Sequence, residues 1–514
     1  MSDQVEPRGR RGGRGRASDT ADDKPPVWPG VLGGRYKPLS EQEVANVEEA
    51  VLFLMETLGF SQAIPSMIEK VTARGGDYTK DDRLTFPREL VRETLKNVRR
   101  DVVLWGRKPG LELDLSGARV HMSSGGASPD IRDIYTGQYR GATALDLYNA
   151  ARVVDSLEYV HHFSRSMVAR DAPDPLSMDV NTAYACLAGT SKHVSISASD
   201  PSYVKTIADI CYELAGSEEA FRAKPFLTIM VCHVVPPMRF AEEACETLEE
   251  AVLAGFPVQI ISAGQAGATS PASVAGSLVQ AVAETLAGLV FSYLVEPNSQ
   301  LIFAPKPLVA DLRTGAMCGG GGEQAVLMAA AAQMGRHFNL PTSSIAGITD
   351  AKLADAQHGS EKNLAVSLAA HAGSNLITQA CGMQASLLGC ALESYVIDND
   401  MLGNILRSVR GVEADPESIA AEVIAEACLG EGHYLGHDQT LARMKSDYVY
   451  PLVGDRQSPT DWEEQGGTTI RERATEKTKE LLATYYPQHL SDEQDLSLRK
   501  RYNILLSRTD IGRT

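Results

Sequence analysis

Between Leu145 and Met383 the chain repeats one pattern: a long Ala-rich stretch with helical spacing, then a short apolar run, then another helix. The runs are YVHHFSRSMV, KHVSISAS, FLTIMVCHVV, PVQIISAGQ, LIFAPKP, SSIAGITDA and NLITQACGM, which makes at least seven alternations. Apolar runs this short, separated by helices of similar length, read as parallel strands with crossover helices. No Gly-rich dinucleotide turn follows the first run, so the pattern predicts an α/β fold of the (β/α)8 TIM type rather than an open doubly wound sheet.

Outside that region the rhythm changes. The segment LSEQEVANVEEAVLFLMETLGF has Ser40 as a cap and apolar residues at helical spacing, and a similar pattern runs from Phe86 to Arg100. Between Val102 and Tyr139 short extended pieces alternate with Gly and Pro. The expected organisation is therefore a disordered Arg/Gly tail at 1–26, a helical and strand-rich cap at 27–143, the barrel at 144–410 and a C-terminal extension at 411–514.

Charge and composition exclude several classes. A formal net charge of -17 argues against nucleic-acid binding by the body of the protein. The apolar stretch Ser273 to Val295 is broken by Gln280, Glu284 and Ser292, so it reads as a buried helix and no membrane association is expected. The start of the chain has no apolar leader run, and eight scattered cysteines without a CxxC pair suit reduced thiols. Together these predict a cytoplasmic protein.

In such a barrel the chemistry sits just beyond the strand C-termini. That rule singles out His161, His162, Ser197, Ser199, His233, Gln265, Phe303, Lys306, the stretch Thr349 to Lys352, Gln379 and Cys381. The densest polar segment is GITDAKLADAQHGSEKN, where Asp350 and Lys352 fall nearest the expected mouth. Asp355, His358 and Glu361 read equally well as the cap and exposed first turn of the following helix. The run Gly319 to Gly322 before Glu323 exposes successive amides at a helix start, which suits an anion or a flexible hinge. The pairs Cys232-His233 and His161-His162 lack zinc-type ligand spacing, so no metal is predicted.

These residues also carry a resemblance. RTGAMCGGGGEQAVLMAAAAQMGRHFNLP followed by GITDAKLADAQHGSEKN resembles the core signature of the trimethylamine methyltransferase family. LSEQEVANVEEAVLFLMETLGF, IYTGQYRGATALDLYNAARVVDSL and DYVYPLVGDRQSPTDWEEQGG resemble further blocks of it. The resemblance implies a barrel methyltransferase that passes methyl from a methylated amine to the cobalt of a corrinoid carried by a partner protein. The chain has no DxHxxG cobalamin pattern, since Asp355-Ala356-Gln357-His358-Gly359 has the wrong spacing, so no tightly bound cofactor of its own is expected.

Family members that use trimethylamine carry pyrrolysine, whereas this sequence holds only ordinary residues. A neutral tertiary amine is a poor leaving group without activation, while a quaternary ammonium departs as a neutral amine. The resemblance therefore points to glycine betaine or a related quaternary amine. Trimethylamine, a methylated sulfur donor and a non-catalytic betaine-binding barrel are the alternatives. Asp350 and Lys352 are the expected catalytic pair. Phe303, Tyr395, Glu323, Gln357, His358, His233 and Gln265 form the expected substrate-binding set, and Lys352 or the Gly319, Gly320, Gly321 and Gly322 amides would take a substrate carboxylate. A homo-oligomer is expected.

Overall fold

A computed structural model describes residues 25–513, so the Arg/Gly tail lies outside the described residues up to residue 24. The chain divides into two compact units. One spans Trp28–Val412 and Val449–Thr514. The other is built on Glu413–Tyr448, where three helices, Pro416–Ile419, Ala421–Leu429 and Asp438–Ser446, are tied by an Arg443 to Glu417 ion pair of 3.3 Å.

The large unit is an eight-stranded parallel barrel. Its strands are β1 (Arg119–Met122), β2 (His162–Ser164), β3 (His193–Ile196), β4 (Leu227–Cys232), β5 (Val258–Ser262), β6 (Leu301–Pro305), β7 (Ser343–Ile345) and β8 (Leu376–Thr378). Parallel pairing runs continuously from β2 through β3, β4 and β5 to β6. It runs also from β7 through β8 to β1. Two parallel bridges, Phe303 with Thr342 and Ser123 with His162, join these arcs and close the ring. The crossover helices are α1 (Ala144–Asp155), α2 (Pro175–Gly189), α3 (Pro201–Ala215), α4 (Glu242–Leu253), α5 (Val274–Val295), α6 (Gly322–His337), α7 (Ala356–His371) and α8 (Leu392–Arg410).

The first barrel strand lies inside the stretch read from sequence as a cap. Its sequence RVHM has no continuous apolar run to mark it, and its polar members are taken up by neighbours: His121 Nδ1 lies 2.9 Å from the Asn375 carbonyl. A hairpin, Val103–Leu104 with Leu113–Asp114, plugs the N-terminal end of the bore. There Val102, Leu104, Leu113 and Leu115 bury themselves against Ile302 and Leu376.

Helix α5 is the long apolar segment of the sequence, and among the described residues it is the one helix long and apolar enough to cross a membrane. It is apolar around most of its circumference and so needs cover on both sides. The strands supply one side, and the N-terminal helices Glu41–Phe53, Pro65–Thr72 and Arg88–Asn97 the other. Its buried Glu284 is satisfied by the Met238 amide at 2.9 Å, Gln280 at 3.0 Å and the Ser262 hydroxyl. C-terminal helices α9 (Ile470–Thr484) and α10 (Asp492–Arg501) pack back on the barrel, α9 against α8 and α1.

At Gly288 of α5 a Cβ would come within 2.5 Å of His233 Nε2 and 2.7 Å of Ile260 Cγ2. Overpacking this contact distorts the helix-to-strand seam. Gly288→Ala should lower unfolding free energy by about 1–3 kcal/mol in a denaturant titration, although alanine is the better helix former.

Candidate active site at the barrel mouth

At the C-terminal ends of the strands lies a cavity of about 410 Å³. Met230, Ile261, Leu308, Ile345 and Leu387 give it apolar walls. Its polar lining comes from strand ends: Arg165 follows β2, Ser197 and Ser199 follow β3, Cys232 ends β4, Lys306 follows β6 and Gln379 follows β8. The one carboxylate of the lining is Glu243, exposed at the start of α4.

Lys306 is 3% exposed. Its Nζ donates to Gln259 Oε1 at 3.2 Å and Thr378 Oγ1 at 3.0 Å, both neutral acceptors. Burial pushes its pKa down to about 8, opposed by Cys232. Arg165 is the second cation. Its guanidinium has no hydrogen bond or ion pair among the described residues, and its Nε is buried without a partner. Burial lowers its pKa and nearby Asp179 opposes that. The Asp179 carboxylate is itself engaged by Ser199, through the amide at 2.6 Å and the hydroxyl at 2.8 Å.

Below the mouth the bore is filled by hydrogen-bonded polar groups. Gln259 Nε2 donates to Ser195 Oγ at 3.3 Å and its Oε1 accepts from Ser343 Oγ at 3.1 Å as well as from Lys306. Ser195 continues to His162 Nε2 at 2.8 Å, and His162 Nδ1 to Ser123 Oγ at 2.6 Å. These side chains reach across intervening strands and fix the floor on which Lys306 stands.

The expected catalytic pair has a different place. Asp350 is half-buried and accepts from the Gly319 amide at 2.9 Å, the Gly320 amide at 3.4 Å and Ser386 Oγ at 2.5 Å. Burial opposes its ionisation, yet the Ser386 hydroxyl and the Gly319 amide hold its pKa below the ordinary carboxylate value. The Gly run therefore binds an anion, but that anion is the chain's own Asp350. A Cβ at Gly320 would lie 2.1 Å from the Glu361 carboxyl carbon, which explains glycine there. Lys352 is exposed and donates to the Asp350 carbonyl at 2.6 Å. Asp350 serves the pocket indirectly: Ala385, Ser386 and Leu387 all hold positive φ, at 49°, 54° and 72°, and the bond from Ser386 secures this strained turn, which brings Leu387 to the cavity wall.

The other expected ligands of substrate also lie elsewhere. Phe303 faces α6, its ring 6.2 Å from that of Phe338. His233 bonds to the Glu284 carbonyl of α5 at 2.9 Å, and Tyr395 is fully buried beneath Gly382 with its hydroxyl on Cys390 at 3.3 Å. Gln265 lies on a two-residue strand after β5, Gln265–Ala266, that pairs with Leu308–Val309, while Glu323 and Gln357 are exposed on the first turns of α6 and α7. Gln357 bonds to Glu361 at 2.8 Å. No aromatic ring lines the cavity among the described residues. Nor does any group of three or more His, Cys, Asp or Glu side chains stand ready for a metal ion among them.

His358 belongs to a buried charge cluster. Its Nε2 lies 2.8 Å from Asp398 Oδ1, and Lys362 Nζ and the Gly382 amide reach Asp398 Oδ2 at 2.7 and 2.8 Å. Burial works against the Asp398 charge, but Lys362 and His358 hold its pKa down to about 2. The cluster pins α7 to α8 and to the β8 loop. Asp355 caps α7, accepting from the Gln357 and His358 amides.

Because Asp398 titrates below its ordinary value of 3.8, its contribution to stability is present above that value and lost as pH falls towards 2. Asp398→Asn leaves Lys362 buried without a counterion, and should cost about 3–5 kcal/mol at neutral pH. Denaturant titrations from pH 6 to pH 3 should show a smaller loss of stability on acidification in the variant than in the parent.

The sequence profile of a family described as "Trimethylamine methyltransferase (MTTB)" matches residues 7–503. The chain is 28% identical to trimethylamine methyltransferase MttB of Desulfitobacterium hafniense (strain DSM 10664 / DCB-2), over 91% of this chain and 94% of that protein. It is 26% identical to the glycine betaine methyltransferase of Desulfitobacterium hafniense (strain Y51), over 91% and 97% respectively. Among solved structures, the Methanosarcina barkeri monomethylamine methyltransferase (MtmB) is similar with a TM-score of 0.47 and 12% identity, over 85% of this chain and 91% of that one.

Proposed function

The chain belongs to the trimethylamine methyltransferase family and is an amine methyltransferase, and from that premise we propose that it moves a methyl group from glycine betaine or a related quaternary amine to the cobalt(I) of a corrinoid held by a partner protein. The observation that carries this reading is the mouth cavity: a small, largely apolar chamber at the catalytic face of a closed barrel.

A quaternary nitrogen needs no proton and no electrophile before it leaves, and the apolar walls ask for neither. Met230, Ile261, Leu308, Ile345 and Leu387 would exclude water from around the N-methyl groups and hold one of them in a fixed direction, which turns displacement into an effectively unimolecular event. Their grip is steric and dispersive, since no aromatic ring lines the cavity among the described residues.

The corrinoid supplies a strong cobalt nucleophile. At about 410 Å³ the cavity suits a small amine and is too small to enclose a corrin ring, which fits a cofactor presented from outside by a partner. Glu243 is exposed in the cavity lining, and its negative charge would attract an approaching ammonium.

The test is methyl transfer to chemically reduced free cobalamin, followed by methylcobalamin absorbance and repeated with a corrinoid partner protein. Glycine betaine should give methylcobalamin and one equivalent of dimethylglycine, with no product from trimethylamine. Transfer from trimethylamine or a methylated sulfur compound alone would overturn the quaternary-amine reading.

A further inference from the structure

The apolar walls of the mouth cavity are not all held alike. Met230 and Ile261 stand on β4 and β5, Ile345 on β7, and Leu308 on the short strand Leu308–Val309 that pairs with Gln265–Ala266. Backbone ladders therefore fix four of these walls. Leu387 has no ladder of its own: it sits near the tip of a hairpin after β8, in which Met383–Gln384 pairs with Gly389–Ala391.

Ala385, Ser386 and Leu387 hold positive φ in succession, with Ser386 at φ 54° and ψ 46°. Among the described residues no other positive-φ residues with a side chain are adjacent in sequence. A left-handed residue presses its Cβ against the following carbonyl, so such a run persists only where its surroundings enforce it. Here the loop after β7 does so. The Ala385 amide donates to the Ala351 carbonyl at 2.8 Å, the Ser386 amide to the Thr349 carbonyl at 2.9 Å, and the Ser386 hydroxyl to Asp350 at 2.5 Å. That loop is held in turn by Glu361 of α7, which accepts from the Asp350 amide at 2.8 Å and the Thr349 hydroxyl at 2.5 Å. Asp350 carries the bracket on to the loop before α6 through the Gly319 amide at 2.9 Å. Glycine in the turn would relieve the strain. The chain keeps instead a hydroxyl that fastens the turn and, beside it, a branched side chain in the cavity wall.

Resting on the methyl-transfer reading above, we propose that Leu387 is a specificity-determining residue that gauges the size of the groups on the substrate nitrogen, with Ser386 and Asp350 as the positioning residues that hold it to that gauge. A trimethylammonium group is compact, and its three methyls reach equally far from nitrogen. An ethyl group in place of one methyl adds a methylene that must displace a wall. The backbones of the four ladder-held walls move only if the sheet deforms, and the bracket makes the Leu387 backbone equally firm on a loop. A wall that does not yield also keeps the transferable methyl in one direction.

The test is calorimetric binding by the full-length protein of two probes, glycine betaine and N-ethyl-N,N-dimethylglycine, its homologue with one ethyl group on nitrogen. The parent protein should bind the homologue about tenfold or more weaker than glycine betaine, the effect of one excess methylene in a fitted pocket. Leu387→Ala should weaken glycine betaine and bring the two probes within about threefold of each other, because it opens the wall that the ethyl group meets. Leu387→Met, of similar volume, should keep the parent's preference. Ser386→Ala leaves every wall side chain in place, yet loss of its hydrogen bond should narrow the preference by about threefold or more, a change in ratio that lower stability alone does not produce. Equal affinity of the parent for the two probes overturns the gauge whatever the folding of the variants, as does an unchanged ratio in a folded Leu387→Ala. Size-selective binding without methyl transfer to any corrinoid upholds the gauge and refutes the proposed reaction, whereas methyl transfer from glycine betaine with no size preference does the reverse. Absence of binding by both probes overturns the gauge together with the substrate class it rests on.

Discussion

Gln259 reaches across the bore and touches Ser195, Ser343 and Lys306 at once, and the mouth depends on that set of bonds. A barrel floor of branched apolar side chains would close the bore equally well but could not hold an ammonium group. Here the floor is built from Gln, Ser, Thr and His, each with a partner, so Lys306 is buried without being orphaned. Its partners are neutral, however, and they leave its charge uncompensated. The fold thus positions a buried cation at the cavity without a carboxylate partner among the described residues. Arg165, separated from Lys306 by β3, β4 and β5, has even fewer hydrogen-bond partners among the described residues.

The ionisable groups elsewhere are used differently. Asp398 is neutralised by Lys362 and His358, and Asp350 by backbone amides and a serine hydroxyl. These charges serve the frame: one locks α7 to α8, the other secures the strained turn behind Leu387. The contrast separates structural ions from site ions more sharply than burial does, because Lys362 and Lys306 are both buried and only Lys362 has a carboxylate.

The barrel was legible because its strands after β1 are apolar runs set between long helices, a period that few other folds produce. β1 was not, since four residues with Arg119 and His121 among them carry no such signal. The dense polar segment from Asp350 to Glu361 drew attention as chemistry, yet its groups satisfy one another and a helix start. Sequence shows that polar residues are concentrated but not that their hydrogen-bond capacity is already used. The Gly319 and Gly320 amides illustrate this, being suited to an anion and filled by Asp350. Lys306 was marked by its position after β6, while Arg165 sat unremarked three residues past a conspicuous histidine pair. The signal that would have found both is a lone basic residue directly after a barrel strand. Phe303 packs against Phe338 at the end of α6, and Tyr395 is buried against Gly382 with its hydroxyl on Cys390, so neither lines the cavity.

The most direct test of the central claim is a crystal structure of the protein with glycine betaine bound. The account predicts the trimethylammonium group inside the mouth cavity, packed against Met230, Ile261, Leu308, Ile345 and Leu387. Betaine seated outside that cavity, with its ammonium group away from these apolar walls, would contradict it.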